Sequence, residues 1–190
     1  MVTNLAADVQ AFTSNAFLVD GDRRVLVDAG ANFDVVSTIE AEGGVDAVVV
    51  THTHPDHVGN LADVKDAFDV EAWGFDTEQD GIDHVIDDGE TVELGDDEYV
   101  ALHTPGHKND HLCFYSDDAG VLFAGDLVFA NGGFGRTDLE EGDRDRLVES
   151  IEDLLDTIDA AVEVMHAGHG PSVPDPQTDI ELALQAARMG

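Results

Sequence analysis

The segment Thr51-His52-Thr53-His54-Pro55-Asp56-His57 follows directly on the apolar run Val48-Val49-Val50 and sets three imidazoles and a carboxylate within six positions. A buried strand that ends in so many metal ligands ties the fold to a cleft at that strand's end, where loops on a rigid scaffold carry reactive groups. Side chains of an extended chain alternate faces, so His52, His54 and Asp56 are expected on one side and His57 on the other. That arrangement suits two metal ions rather than one.

The rest of the chain reads as one compact domain, 1–190, since 190 residues bury one good core and are few for two. Strands are expected at 15–19, 24–28 and 45–50, with Asp20-Gly21-Asp22 as a hairpin turn between the first two. A helix follows over 33–42, stopped by Gly43-Gly44, then a second over 58–68 and a short strand at 70–73. Strand-like runs return at 91–94, 99–104, 112–115 and 121–124. Residues 144–158 place Leu147, Ile151, Leu154, Leu155 and Ile158 on one helical face, before a strand at 161–165 and a closing helix at 179–187. Two runs of strands, each with helices, predict two sheets covered by helices on their outer faces.

Further ligand types stand beside glycine at the ends of later strands: His107 after Gly106, Asp126 after Gly125, and His169 between Gly168 and Gly170. Glycine there frees the backbone to turn tightly and deliver a side chain into a common cleft. Neutral imidazoles and carboxylates suit zinc, whose catalytic sites leave a position open for water. Two ions sharing a hydroxide lower its pKa and polarise a carbonyl, so the composition points to metal-assisted hydrolysis.

The ordered set His-x-His-x-Asp-His, then His107, Asp126 and His169, resembles the metallo-β-lactamase fold superfamily over residues 28 to 169. The resemblance implies an α+β fold, a four-layer αββα sandwich with two divalent metal ions at the edge between the sheets. It implies that His52, His54 and His107 hold the first ion, that Asp56, His57 and His169 hold the second, and that Asp126 bridges them. Asp28 matches the family's early acidic residue and would orient a ligand; Asp56 would orient the nucleophile and pass its proton as well as ligate. Zinc is the expected metal, with iron the alternative.

The loop Gly133-Phe134-Gly135-Arg136-Thr137-Asp138-Leu139 narrows the activity, because it resembles the Gly-Arg-Thr-Asp loop of glyoxalase II-like hydrolases and of persulfide dioxygenases. Arg136 would bind an anionic substrate group, or pair with Asp138. The resemblance therefore implies hydrolysis of a small-molecule thioester by a bridging hydroxide. The alternative is a persulfide dioxygenase with one iron on His52, His107 and Asp126. The context Gly168-His169-Gly170-Pro171 is similar to the hydrolases. Zinc β-lactamases lack the bridging aspartate, and flavodiiron proteins carry glutamate where His54 stands. A non-catalytic metal-binding module would show a degraded ligand set, and here all seven positions are filled. About twenty residues follow His169, whereas longer glyoxalase II enzymes carry a helical glutathione-binding region there, which leaves the thiol carrier open.

Of the nine histidines, four stand outside this set. His84 reads as a solvated loop residue, His166 flanks the site, His103 supports the His107 turn, and His111 takes a core or rim role. Lys108 is either substrate-facing or exposed, and the single cysteine, Cys113, sits between Leu112 and Phe114 as inert core. A formal net charge of −34, with 42 acidic against 8 basic residues spread along the chain, is similar to proteins that work in concentrated intracellular salt. It leaves no basic patch for nucleic acid. No apolar stretch approaches the roughly 18 residues of a membrane span and the start lacks a secretory signal, so a soluble cytoplasmic protein is expected, with its oligomeric state unspecified.

Overall fold

The computed structural model describes residues 1–158 and 162–189. The chain divides into two compact units, Met1–Ile86 with Val92–Glu98, and Asp87–Thr91 with Tyr99–Gly190.

A six-stranded sheet organises the first unit, and its strand order follows the chain: β1 (Val2–Asn4), β2 (Phe17–Val19), β3 (Val25–Val27), β4 (Ala47–Val49), β5 (Ala72–Gly74) and β6 (His84–Val85). β1 to β3 run antiparallel, whereas β3 to β6 are parallel. Parallel neighbours need crossovers. α1 (Val35–Glu42) supplies the first, and α2 (Pro55–Val58) with α3 (Leu61–Phe68) the second. β3 and β4 are buried at every residue, as continuous apolar strands covered on both faces are. Leu26 and Val48 share a cluster with Val35 and Ile39 of α1 and Leu61 and Val64 of α3.

Local chemistry sets the ends of α1. The Asp34 carboxylate accepts the Ser37 N–H, and Gly43 at φ 103° closes the helix with its own N–H on the Ile39 and Glu40 carbonyls. The helix expected over 58–68 is instead two pieces. Gly59 lies so close to Ala31 that a Cβ there would meet the Ala31 Cβ at 2.7 Å. Asn60 leaves the helical register and donates from Nδ2 to the Ala29 carbonyl at 3.2 Å.

β7 (Thr91–Leu94) and β8 (Asp97–His103) come next in sequence. Within the second unit β8, β9 (Leu112–Ser116) and β10 (Val121–Gly125) form an antiparallel meander. A two-stranded ribbon, β11 (Val128–Phe129) with β12 (Gly133–Phe134), leads to α4 (Arg144–Thr157). β13 (Val164–Ala167) then returns parallel to β10, with β14 (Val173–Pro174) antiparallel beside it, before α5 (Gln177–Met189).

All of β9 and β10 is buried, and Cys113, Leu122 and Ala124 share a core with Leu147, Ile151 and Leu154 of α4. Truncating Leu147 or Ile151 to alanine costs about 2–5 kcal/mol by lost transfer energy and cavity.

The expected pattern of strands and helices is present, with boundaries within a few residues. Five short strands, β1, β6, β11, β12 and β14, escape the sequence pattern because two or three residues cannot display an alternation. The strand expected at 161–165 forms as Val164–Ala167, and Ala161 lies outside the described residues. Among the described residues no helix is long and apolar enough to cross a membrane.

Candidate metal centre

In the first unit the chain leaves β4 extended as far as His54 (φ −66°, ψ 146°) and then turns into α2 at Pro55. Proline at the first helical position has its φ already set and lacks an N–H that would go unpaired there. The alternation expected from His52 to His57 therefore stops at His54. His57 does not turn away, because the helical turn brings its ring to 4.0 Å from that of His52, centroid to centroid.

Behind this segment the buried Asp28 holds φ at 59°, a left-handed conformation that aspartate enters more readily than most residues. Its Oδ1 accepts the Thr51 N–H at 2.8 Å, and its Oδ2 accepts the Thr51 hydroxyl at 2.8 Å and stands 2.8 Å from His57 Nδ1. A carboxylate only accepts, so His57 carries its proton on Nδ1 and presents the Nε2 lone pair. The same logic settles His52. The Thr51 proton is committed to Asp28, so Thr51 Oγ1 accepts from His52 Nδ1 at 3.2 Å and Nε2 becomes the ligand atom. His52 Nε2 faces His54 Nδ1 at 3.1 Å. Two nitrogens on one tetrahedral zinc, each about 2.0–2.1 Å away, stand about 3.3 Å apart, so the pair fits a shared ion. Asp56 is half-buried on the first turn of α2. A cleft of about 440 Å³ lies within the same unit, lined by Thr53, Pro55, Val58 and residues 78–80 among others.

The second unit gathers the other three ligands. His107 follows Gly106, whose φ of 127° suits glycine and where a side chain would collide with the Leu147 backbone. Asp126 follows Gly125 (φ 47°) at the end of β10, and His169 leaves β13 through Gly168. The Nε2 atoms of His107 and His169 converge on Asp126 Oδ2 at 3.4 and 3.6 Å. His107 Nδ1 donates to the Arg136 carbonyl at 2.8 Å, which again leaves Nε2 as the ligand atom. Each distance matches a pair of donors on one divalent ion, and the donor set is that of zinc or iron. The candidate ligands are thus His52, His54, Asp56 and His57 in one unit and His107, Asp126 and His169 in the other.

Several expectations need correction. Lys108 is neither exposed nor aimed at solvent: it is buried, with its ammonium 3.2 Å from Asp110 and 3.4 Å from Glu141. A buried ammonium requires such partners; Asp110 lies two positions on, and Glu141 comes from a loop distant in sequence. His84 is a strand residue stacked on Trp73 and paired with Glu71, not a loop histidine. Of the two roles expected for Arg136 the pairing is present: the side chain is exposed and bidentate on Asp138, at 2.8 Å from both Nε and Nη2. That pair holds the Asp138 carboxyl down to about 2 and raises the guanidinium further.

The remaining groups lie where expected. His103 Nε2 donates to the Asn109 carbonyl at 2.7 Å, supporting the His107 loop. His166 bonds Ser172 Oγ at 2.7 Å, and burial lowers its pKa to about 4. Burial pushes the Cys113 thiol up to about 12, so it stays protonated and inert. His111 takes the core role, wholly buried, with Nε2 accepting the Asp126 N–H at 2.9 Å.

Two contributors have roles that the sequence motifs containing them do not disclose. Thr51 orders two histidines at once, and only its adjacency to His52 hints at it. Gly135 sits against the Asp126 carbonyl oxygen, where a Cβ would collide with it and reach the His107 Cβ at 3.0 Å.

A family model described as the metallo-beta-lactamase superfamily matches residues 9–80 and 75–169. Hydroxyacylglutathione hydrolase GloC of Haemophilus influenzae is 31% identical over 188 residues, covering 85% of this chain and 88% of its own. Hydroxyacylglutathione hydrolase of Enterobacter sp. (strain 638) is 36% identical over 152 residues, 77% of this chain but 59% of its own, so the chain spans little more than half of that relative. Among solved structures, TTHA1623 in a di-iron-bound form superposes with a TM-score of 0.73 at 28% identity, covering 91% of this chain and 92% of its own. ETHE1 from Myxococcus xanthus superposes with a TM-score of 0.75 at 19% identity, covering 93% of this chain and 85% of its own, which is a likeness of fold.

Proposed function

The chain belongs to the metallo-beta-lactamase superfamily, with hydroxyacylglutathione hydrolases among its relatives, and on that premise we propose that it is a two-metal hydrolase of a small-molecule thioester. In this reading both units work as one catalytic domain. His52, His54 and His107 would hold one ion, Asp56, His57 and His169 the other, and Asp126 both. Bound there, two divalent ions would supply a water of pKa about 7 and a Lewis acid for the substrate carbonyl.

The observation that carries the reading is the fixed tautomer of His52, His57 and His107, each with Nδ1–H engaged and Nε2 left as ligand. Asp56, half-buried beside His57, orients the attacking water and takes its proton. The exposed Arg136, one of eight cations in a chain of net charge −34, meets the anionic end of the thiol carrier by exchanging its Asp138 partner for substrate. The same reading takes zinc as the metal and the cytoplasm of a salt-accumulating cell as the setting.

The Gly135–Asp138 loop also favours a second reading, a persulfide dioxygenase with a single iron on His52, His107 and Asp126. Metal analysis of protein purified at high salt, with thioester and persulfide assays on the same sample, separates the two. Zinc with thioester hydrolysis supports the hydrolase. One iron per chain with oxygen uptake on a persulfide overturns it.

A further inference from the structure

We propose that His111, Thr104 and Cys113 form a directional hydrogen-bond relay that clamps the turn carrying Asp126 and so positions that carboxylate as a ligand. The inference rests on the reading of Asp126 as a metal ligand.

Residues 124–127 make a tight turn, closed by the Leu127 N–H on the Ala124 carbonyl at 3.1 Å, with Gly125 at φ 47° and Asp126 at its crest. A peptide N–H can only donate, so the Asp126 N–H at 2.9 Å makes His111 Nε2 an acceptor. The proton of the neutral ring is then on Nδ1, which donates to Thr104 Oγ1 at 2.8 Å. Thr104 in turn offers its own proton to Cys113 Sγ at 3.4 Å. The Cys113 S–H points to the Ala124 carbonyl oxygen at 3.5 Å, an atom that only accepts.

The peptide N–H at one end and the carbonyl at the other set the directions between them, and the relay starts and ends on the same turn, gripping its crest and its base. All three side chains are buried, with His111 and Cys113 at 0% exposure and Thr104 at 2%. Unsatisfied donors are costly in such surroundings, so the arrangement tolerates one tautomer only. A thiolate would remove the last donor, and the elevated thiol pKa guards against that.

The relay also couples two ligands. The Thr104 N–H donates to the His111 carbonyl at 2.9 Å, closing the loop on which His107 stands. The loop presenting His107 is thereby tied to the turn presenting Asp126, and His107 Nε2 meets Asp126 Oδ2 at 3.4 Å. His111 touches the Asp126 backbone and not the reacting atoms, so it is a positioning residue.

The test uses the full chain, stripped of metal and titrated with Co(II) against a competing chelator, with affinity and the visible absorption of bound cobalt both recorded. His111→Leu, which removes the acceptor facing Asp126, is expected to weaken Co(II) binding about 10- to 100-fold and to change the cobalt spectrum. His111→Gln, whose Oε1 can accept the Asp126 N–H, is expected to restore most of the affinity and the spectrum. Thr104→Val keeps the fold's shape but releases Nδ1, and should fall between. Wild-type affinity and spectrum in His111→Leu overturn the relay, as does a Gln variant as weak as Leu. Should His111→Leu fail to fold, an unchanged Thr104→Val overturns it equally. Wild-type protein that binds no Co(II) refutes the ligand reading of Asp126 itself. Tight wild-type binding with an indifferent His111→Leu refutes only the relay.

Discussion

Replacing Thr51 by valine isolates the device that orders the first-unit ligands. The Thr51 hydroxyl donates to Asp28 Oδ2 at 2.8 Å and accepts from His52 Nδ1 at 3.2 Å, and the side chain is 1% exposed. Valine has nearly the same shape, so no cavity forms and no backbone conformation changes. The substitution deletes one hydrogen bond to a charged acceptor, about 1.5–3 kcal/mol, and one neutral bond, about 0.5–1.5 kcal/mol. The extra buried methyl returns about 0.8 kcal/mol. A net loss of about 2–3 kcal/mol in the stability of the metal-free protein follows, read from urea unfolding in the presence of chelator. His52 also loses the acceptor that keeps its proton on Nδ1, so the proton can occupy the ligand nitrogen Nε2. Metal affinity should therefore fall about 10- to 100-fold by chelator competition. Thr51→Ser keeps the hydroxyl and should stay close to wild type in affinity. Equal metal affinity and equal unfolding midpoints for the Val, Ser and wild-type proteins would refute the tautomer argument.

Other perturbations probe separate parts of the account. Gly135→Ala drives a methyl into the Asp126 carbonyl oxygen and against His107, so it should cost about 1–3 kcal/mol and lower metal content; a fully loaded, equally stable variant would contradict that contact. His166 is held neutral, with a pKa of about 4 against 6.5 for an exposed imidazole. Its unfolded form binds the proton first, so its stabilising contribution is complete above about pH 6.5 and drains away as pH falls towards 4, up to about 3 kcal/mol. Unfolding curves for wild type and His166→Asn should converge over that range, and parallel curves would count against the burial argument. The net charge of −34 predicts a melting temperature that climbs from 0.1 to 2 M KCl as the screening length shrinks to a few ångströms, and a flat profile would remove the case for a high-salt habitat.

Chemically distinctive residues announced themselves in the sequence, and those acting through shape or partner choice did not. His52, His54 and His57 crowd a single seven-residue run, while His107, Asp126 and His169 each stand beside a glycine at a strand end. Those signals survive without coordinates because few other needs bring imidazole and carboxylate to such places. Thr51 looks like any strand-end threonine, and its role exists only because Asp28 lies 2.8 Å away, twenty-three positions earlier. The state of His111 could not be read from its neighbours in sequence, since its tautomer is dictated by the Asp126 amide fifteen residues later. Lys108 could be read only as substrate-facing or exposed for the same reason, with Glu141 thirty-three residues away in sequence completing its burial. The helix expected over 58–68 instead starts at Pro55 and breaks at Asn60, next to the close approach of Gly59 to Ala31. The extended reading of the ligand segment overlooked that Pro55 starts a helix as readily as it ends a strand.

The proposed centre has seven side chains holding two ions, with Asp126 shared between them. Titration of metal-free protein with Co(II), monitored by visible absorption in wild type and in Asp126→Ala, tests it most directly. Two ions bridged by Asp126 predict saturation near two equivalents per chain in wild type, with both sites weakened and thioester hydrolysis lost in the variant. Saturation at one equivalent, or an Asp126→Ala protein that still binds two ions and turns over at the wild-type rate, would contradict it.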